Sequence, residues 1–230
     1  ALQAGAETLA SLSEKFAIKV KPHPKYPQLA QLKYNQIDSP MGEPLVQECR
    51  GIIFDTTDWR IVARPFSKFF NHQEGHAACI DWKTARVQEK LDGSLMIVYW
   101  HDSCWHVASS GTPDAGGEVN NANGTTFKSL FWQTFEAMGY ITNQMDPSRT
   151  YCFELMTKYN RVVVAHPEPR LVLIGIRVND TGEELELFHA PQFQAVRQFP
   201  LGSLAEVEAS MEHFSGLEQE GYVVVDGNFN

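Results

Sequence analysis

Lys90 carries the clearest chemical promise in the chain. It lies in "QEKLDGSLMIVYW" (residues 88–100), just ahead of Asp92-Gly93, and Leu95 to Trp100 is almost wholly β-branched, aromatic or aliphatic. That run reads as a strand and Asp-Gly as a turn signal, so the stretch predicts strand-turn-strand, a hairpin with a lysine at its turn. Such a lysine is either an ordinary surface charge or is held there for its nitrogen, which is a nucleophile once deprotonated. Lys-x-Asp-Gly alone decides little, since average residue usage produces it by chance in about one chain in twenty of this length.

Other candidate constellations fail on inspection. In "NHQEGH", His72 and His76 have the spacing of zinc ligands on a helix. The metalloprotease motif needs Glu directly after the first His; Gln73 stands there, and Gly75 argues against a helix. Surface histidines on a loop are the better reading. "SSGTPDAGG" is glycine-rich but lacks the Gly-Lys-Ser/Thr of a phosphate-cradling P-loop. No Ser-His-Asp set can be ordered.

The elements that must position Lys90 are mostly strands. Leu9, Leu12 and Phe16 place a short amphipathic helix over residues 5–16, and "KPHPKYP" follows as a proline-rich connector. "LAQLKYN", "CRGIIFD", "RIVARPF", "ARVQEKL", "SLMIVYW" and "CWHVASS" then read as strands of an antiparallel system. Phe127, Leu130, Phe131, Phe135 and Met138 share one helical face. "TYCFELM", "NRVVVAH", "RLVLIGIRV" and "EGYVVVD" are further strands, and Ser203 with Glu206 caps a helix over "LAEVEASMEHF". The expectation is one α+β domain over residues 1–230, dominated by antiparallel sheet.

Bulk properties exclude little. With 230 residues, 43% hydrophobic and 20% charged, the chain can bury a core and is not disordered in bulk. No apolar run nears the roughly 20 residues that span a bilayer. The N-terminal stretch has no secretory pattern, and the four scattered cysteines fit a reducing, cytoplasmic setting. A net charge of −9 argues against a generic nucleic-acid coat without excluding a local basic cleft.

The weight shifts once the neighbouring motifs are set in order: "ECRGIIFD", "ARPFSKFFNHQE", "EKLDGS", "YCFELM", "NR" and "EGYVVVD". In that combination the chain resembles the covalent nucleotidyltransferase superfamily of ATP-dependent ligases and capping enzymes. Within it, the chain is most similar to the phage-type RNA ligases that repair cleaved tRNA. The resemblance runs from about Tyr34 to the last residues.

The fold implied is that of a ligase adenylation domain, with antiparallel sheets and flanking helices around an ATP cleft. The activity implied is an ATP-dependent RNA ligase: Lys90 attacks the α-phosphorus of ATP, and lysyl-AMP then serves to seal an RNA 5′-phosphate to a 3′-hydroxyl. A free lysine with a pKa near ~10.4 has almost no lone pair at neutral pH, so burial or nearby cationic charge must lower it. The resemblance makes Arg50 and Lys68, both in strand-like segments, phosphate contacts. It makes Phe70 the ring that stacks on adenine, with Phe69 its core-facing neighbour. Tyr34, Glu89, Asp92, Gly93 and Arg161 join Lys90 and Glu154 around the nucleotide. Glu154 and Glu220 become catalytic carboxylates holding magnesium, with manganese an acceptable substitute.

Two departures stand out. Ser110 occupies a position where the phage-type enzymes carry a lysine, and the superfamily's last motif, a Lys-x-Lys strand, does not follow "VVVDGNFN". The expectation is therefore a longer natural protein, lacking here its last motif strand and any C-terminal domain. Open alternatives are a related enzyme acting on DNA nicks or RNA caps, and a non-catalytic nucleotide- or RNA-binding module. The partner expected is RNA with 5′-phosphate and 3′-hydroxyl ends, tRNA among the candidates, with no membrane partner and a monomer favoured.

Overall fold

Alternation along the strands decides which faces meet. The computed structural model of the chain describes residues 7–120, 124–159, 168–212 and 220–230. Helix α1 (Glu7–Phe16) precedes β1 (Lys19–Pro22) and β2 (Leu29–Lys33); α2 (Pro44–Glu48) precedes β3 (Arg50–Asp55) and β4 (Arg60–Ala63). These four strands form one antiparallel sheet in chain order. Residues 21 and 22 of the expected proline-rich connector belong to β1. An edge strand tolerates Pro22 at its end because no ladder hydrogen bond is lost there.

The chain continues through β5 (Arg86–Glu89), β6 (Ser94–His101), β7 (Cys104–Ser109), α3 (Phe127–Ala137), β8 (Arg149–Met156) and β9 (Arg170–Val178). Short β10 (Glu184–Leu185) and β11 (Gln198–Phe199), helix α4 (Leu204–Met211) and β12 (Tyr222–Val225) complete it. A second sheet has the order β10-β9-β8-β6-β7 and a third the order β11-β5-β12. Every strand pair within these sheets is antiparallel. The expected strand "NRVVVAH" lies outside the described residues.

The first two sheets pack face to face. Leu29, Ile53, Val62 and Ala63 meet Ile97, Tyr99 and Ala108 between them. Alternate residues Leu32, Ile52 and Phe54 point the other way, under Leu12 of α1 and Val46 of α2. Met96, Val98, Phe153 and Leu173 bury the far face of the second sheet under Leu130, Phe131 and Phe135 of α3. Thr126 caps that helix, its hydroxyl accepting from the Ser129 amide. Each fully buried side chain of this kind contributes roughly 1.5–3 kcal/mol.

Two polar features lock the sheets together. Gly51, at φ +106°, lets β3 press against β6: a Cβ there would lie 2.8 Å from Ile97 Cδ1. Glu48 accepts Arg177 of β9 at 2.7 and 3.2 Å, Arg64 at 3.1 Å and the Ser67 hydroxyl at 2.8 Å. Burial pushes the Glu48 carboxyl up, but the hydrogen bonds and charges of Arg177, Ser67 and Arg64 outweigh it and hold the group below its usual range.

The expected hairpin around Lys90 is not formed. β5 pairs with β11 and β12, whereas β6 pairs with β7 and β8, so residues 90–93 cross from one sheet to another. Gly93 is needed for closeness, since a Cβ there would lie 2.4 Å from the Leu155 carbonyl oxygen on β8. The chain is drawn onto β8 and cannot fold back on β5.

Candidate active site

Lys90 extends the β5–β12 ladder by one rung, its amide donating to the Gly221 carbonyl at 2.9 Å. That rung brings Glu220 alongside, and the Lys90 ammonium pairs with the Glu220 carboxylate. Both side chains are partly exposed, so the pair sits outside the core.

Glu154 approaches from β8, where it lies opposite Leu95 of β6. Leu95 packs against the layer between the first two sheets, so Glu154 projects to that side. Its carboxyl is pushed up to about 8, chiefly by burial; the Glu220 and Asp92 charges push the same way, while Arg50 and the Gly93 amide oppose. Asp92 is buried. Glu220 thus pairs with Lys90 and lies within electrostatic reach of Glu154.

Arg50 opens β3 and reaches the same layer. Its guanidinium lies against the rings of both Phe66 and Phe69, at 4.7 and 4.6 Å from their centroids. Burial presses against its charge, with Tyr34, Cys152 and Glu154 favouring it. Nη1 is enclosed and, among the described residues, has no hydrogen-bond partner. An enclosed guanidinium nitrogen without an acceptor suits an anion.

Beside Arg50, a cleft of about 500 Å³ is lined by Tyr34, Lys33 and Leu95, among others. Lys68 covers the face of Phe70, its amine 4.3 Å from the ring centroid, and lies 6.0 Å from that of Tyr34. Glu89 ends β5, its amide donating to the Arg197 carbonyl at 2.9 Å.

Two expectations are corrected here. Lys68 is not in a strand: β4 ends at Ala63, and Pro65 removes a ladder donor just beyond it. Phe69 does not face the core. It is 47% exposed and lies flat against Arg50, whose guanidinium offers the ring a better contact than water. Arg161 lies outside the described residues.

The structure thus ties Lys90 to Glu220 and sets Glu154 within electrostatic reach of Glu220, Asp92 and Arg50, with the Gly93 amide bonded to Glu154; Tyr34 lines the cleft with Arg50, and Lys68 lies between Tyr34 and Phe70. Among the described residues, no group of three or more His, Cys, Asp or Glu side chains could hold a metal by itself. Glu154 and Glu220 fit a divalent cation that takes its other oxygens from phosphate and water: two mutually repelling carboxylates, one largely desolvated, would be relieved by it. His72 pairs with Glu208 at 3.5 Å and His76 tilts against Phe70, so they do not form a joint site. Two residues escaped the sequence reading. Glu48 was visible in "ECRG" without a role, and Lys33 carried no motif at all.

Comparison with known proteins accords with this geometry. A family model described as RNA ligase matches residues 48–229. A protein of Autographa californica nuclear polyhedrosis virus described as "Putative bifunctional polynucleotide kinase/RNA ligase" is 29% identical over 236 residues, 95% of this chain and 33% of that protein. An RNA ligase of Rhodothermus phage RM378 is 33% identical over 183 residues, 66% of this chain and 41% of that one. The chain spans less than half the length of these curated relatives. Among solved structures, an archaeal ATP-dependent RNA ligase superposes with a TM-score of 0.63 at 13% identity, covering 99% of this chain and 60% of that one. That likeness shows a ligase nucleotidyltransferase fold.

Proposed function

The chain belongs to the RNA ligase family, and on that premise we propose that it carries the adenylation domain of an ATP-dependent RNA ligase, spanning residues 1–230. The observation that supports this most is the meeting of Lys90, Glu220 and Glu154 with Arg50, an enclosed cation lacking an acceptor.

Lys90 Nζ attacks the α-phosphorus of ATP. A P–N bond forms, the bond to the oxygen bridging to the β-phosphate breaks, and its electron pair leaves with pyrophosphate. The Lys90 ammonium first passes one proton to the Glu220 carboxylate it already contacts, which frees its lone pair, and the nitrogen sheds the second to water as the P–N bond forms. Arg50 and Lys68 neutralise phosphate charge as it builds up. Phe70 and Tyr34 form the wall for the base and ribose, with Glu89, Asp92 and Gly93 fixing the backbone around the amine, and Arg161 is assigned to the phosphates.

Magnesium, or manganese in its stead, held by Glu154 and Glu220 would screen phosphate charge. An oxygen of an RNA 5′-phosphate next attacks the phosphorus of lysyl-AMP, breaking the P–N bond. A 3′-hydroxyl then attacks the activated 5′-phosphorus and AMP leaves. Repair of cleaved RNA, tRNA included, is the physiological setting proposed.

Incubation with magnesium and labelled ATP or GTP tests the reading. ATP should leave an acid-labile label that survives denaturation and is absent in Lys90→Ala. Label from GTP alone would place the chain with capping enzymes, and no label from either would overturn the proposal.

A further inference from the structure

Three strands of the first sheet carry cations directly opposite one another. Lys19 on β1 is paired in register with Lys33 on β2, and Lys33 in turn with Arg50 on β3. Like charges so placed repel. Among the described residues, neither these three nor Lys21 enters an ion pair. All four line the 500 Å³ cleft, which has no carboxylate in its wall. On a chain of net charge −9, that is a local concentration of positive charge and no general surface property.

The row is graded in depth. Arg50 is the inner rung, with its Nη1 enclosed and unpartnered. Lys33 is half-buried and Lys19 exposed at the sheet edge. Neighbouring rungs are spaced by the distance between strands, about 4.8 Å. The Lys33 amine lies 3.3 Å from Ser110 Oγ, against Gly111. Gln31 fixes this meeting of two sheets, its amide donating to the Ser109 carbonyl at 2.8 Å. Burial opposes the Lys33 charge most, and Lys21, Lys19 and Arg50 add to that pressure. An anion entering the row would relieve every one of these repulsions.

We propose that Lys19, Lys33 and Arg50 form a ladder for a chain of phosphate groups, in which Lys33 supplies from β2 the positive charge that Ser110 does not carry. The shared chemistry is that of linked phosphates, either the triphosphate of ATP or the backbone of an RNA strand. The ladder deepens the adenylation reading and rests on it only for the identity of that chain.

The test is a charge swap read by binding. Calorimetric titration with inorganic tripolyphosphate, ATP and a 5′-phosphorylated oligoribonucleotide is made on the protein, on Lys33→Ser, and on Lys33→Ser combined with Ser110→Lys. Lys33→Ser should weaken tripolyphosphate binding roughly tenfold, the loss of one charge-assisted hydrogen bond. The double variant should recover most of it, because the two side chains meet at one point. Alongside that loss, a parallel loss for ATP assigns the ladder to the nucleotide, and a loss for the oligoribonucleotide but not for ATP assigns it to RNA. Lys33→Arg should bind as the parent does, which separates lost charge from lost packing. Unchanged binding of all three ligands to Lys33→Ser, or no recovery in the double variant, would overturn the ladder. Binding is read without turnover, so a protein that binds tripolyphosphate but never labels would sink the ligase reading alone.

Discussion

The Lys90 ammonium is engaged by the Glu220 carboxylate, a partner 130 positions further along the chain. The contact follows from backbone pairing, since the Lys90 amide bonds to the carbonyl of Gly221, next to Glu220. Substituting Glu220→Gln keeps the size and removes the charge. Labelling by ATP should slow about a hundredfold or more, whereas thermal stability should change by no more than ~1 kcal/mol, as for other part-exposed pairs. Initial rates of label incorporation read the first, and melting curves the second. A variant labelling at the parental rate would reduce the pair to an ordinary rim salt bridge.

Gly93→Ala tests the crossing between sheets. The added Cβ would meet the Leu155 carbonyl oxygen at 2.4 Å and Met156 Cγ at 3.0 Å. β8 is hydrogen-bonded on both sides, so the crossing must move instead, and Lys90 with it. A loss of about 1–3 kcal/mol is expected in urea denaturation. Labelling should fall further than the unfolded fraction explains.

Glu48→Gln removes the carboxylate that Arg177 and Arg64 share. Leaving two guanidinium groups without their common partner should cost about 2–3 kcal/mol, below the figure for fully buried pairs because Glu48 keeps some exposure. The Glu48 contribution is present at neutral pH, because its folded pKa is depressed, and it is lost as pH falls below the usual carboxylate range. The urea midpoints of parent and variant should therefore converge in acid.

His23 governs a second pH window. Its Nδ1 accepts the amides of Lys25 and Tyr26, both at 3.1 Å, and its buried Nε2 has no partner among the described residues. Burial lowers its pKa to about 4, His106, Lys128 and His101 adding to the effect and Asp114 opposing it. Between about 6.5 and 4 the unfolded chain binds a proton that the folded one refuses, so stability falls as pH drops through that range. His23→Gln should lessen the slope of stability against pH by about one proton. An unaltered slope would mean that His23 charges without cost.

Much of the framework was readable because burial wrote it in alternation. α3 was legible from its apolar period, and β6 from its unbroken apolar run after a turn signal. What stayed hidden depends on partners distant in sequence. Asp92-Gly93 signals a turn, yet nothing near it says that β5 and β6 join different sheets. Phe69 reads as core until Arg50 is known to need a ring. Lys33 is invisible in the same way, since its significance lies in facing Lys19 and Arg50 across strands whose pairing no local pattern discloses. The motif residues are the opposite case: the resemblance carried by their order along the chain singled out Lys90, Glu154 and Glu220 before any fold was in view.

The long reach from Lys90 to Glu220 also has a temporal side. Synthesis makes the lysine early and its carboxylate only after β8, β9 and the rest have been added. During that interval Lys90, the proposed nucleophile, exists without the strand that sets its rung, and Glu154 and Arg50 belong to sheets not yet docked. Because domains assemble as units during translation, an unfinished chain should be unable to trap AMP on itself. On the adenylation proposal, competence would arrive only once β12 has paired with β5.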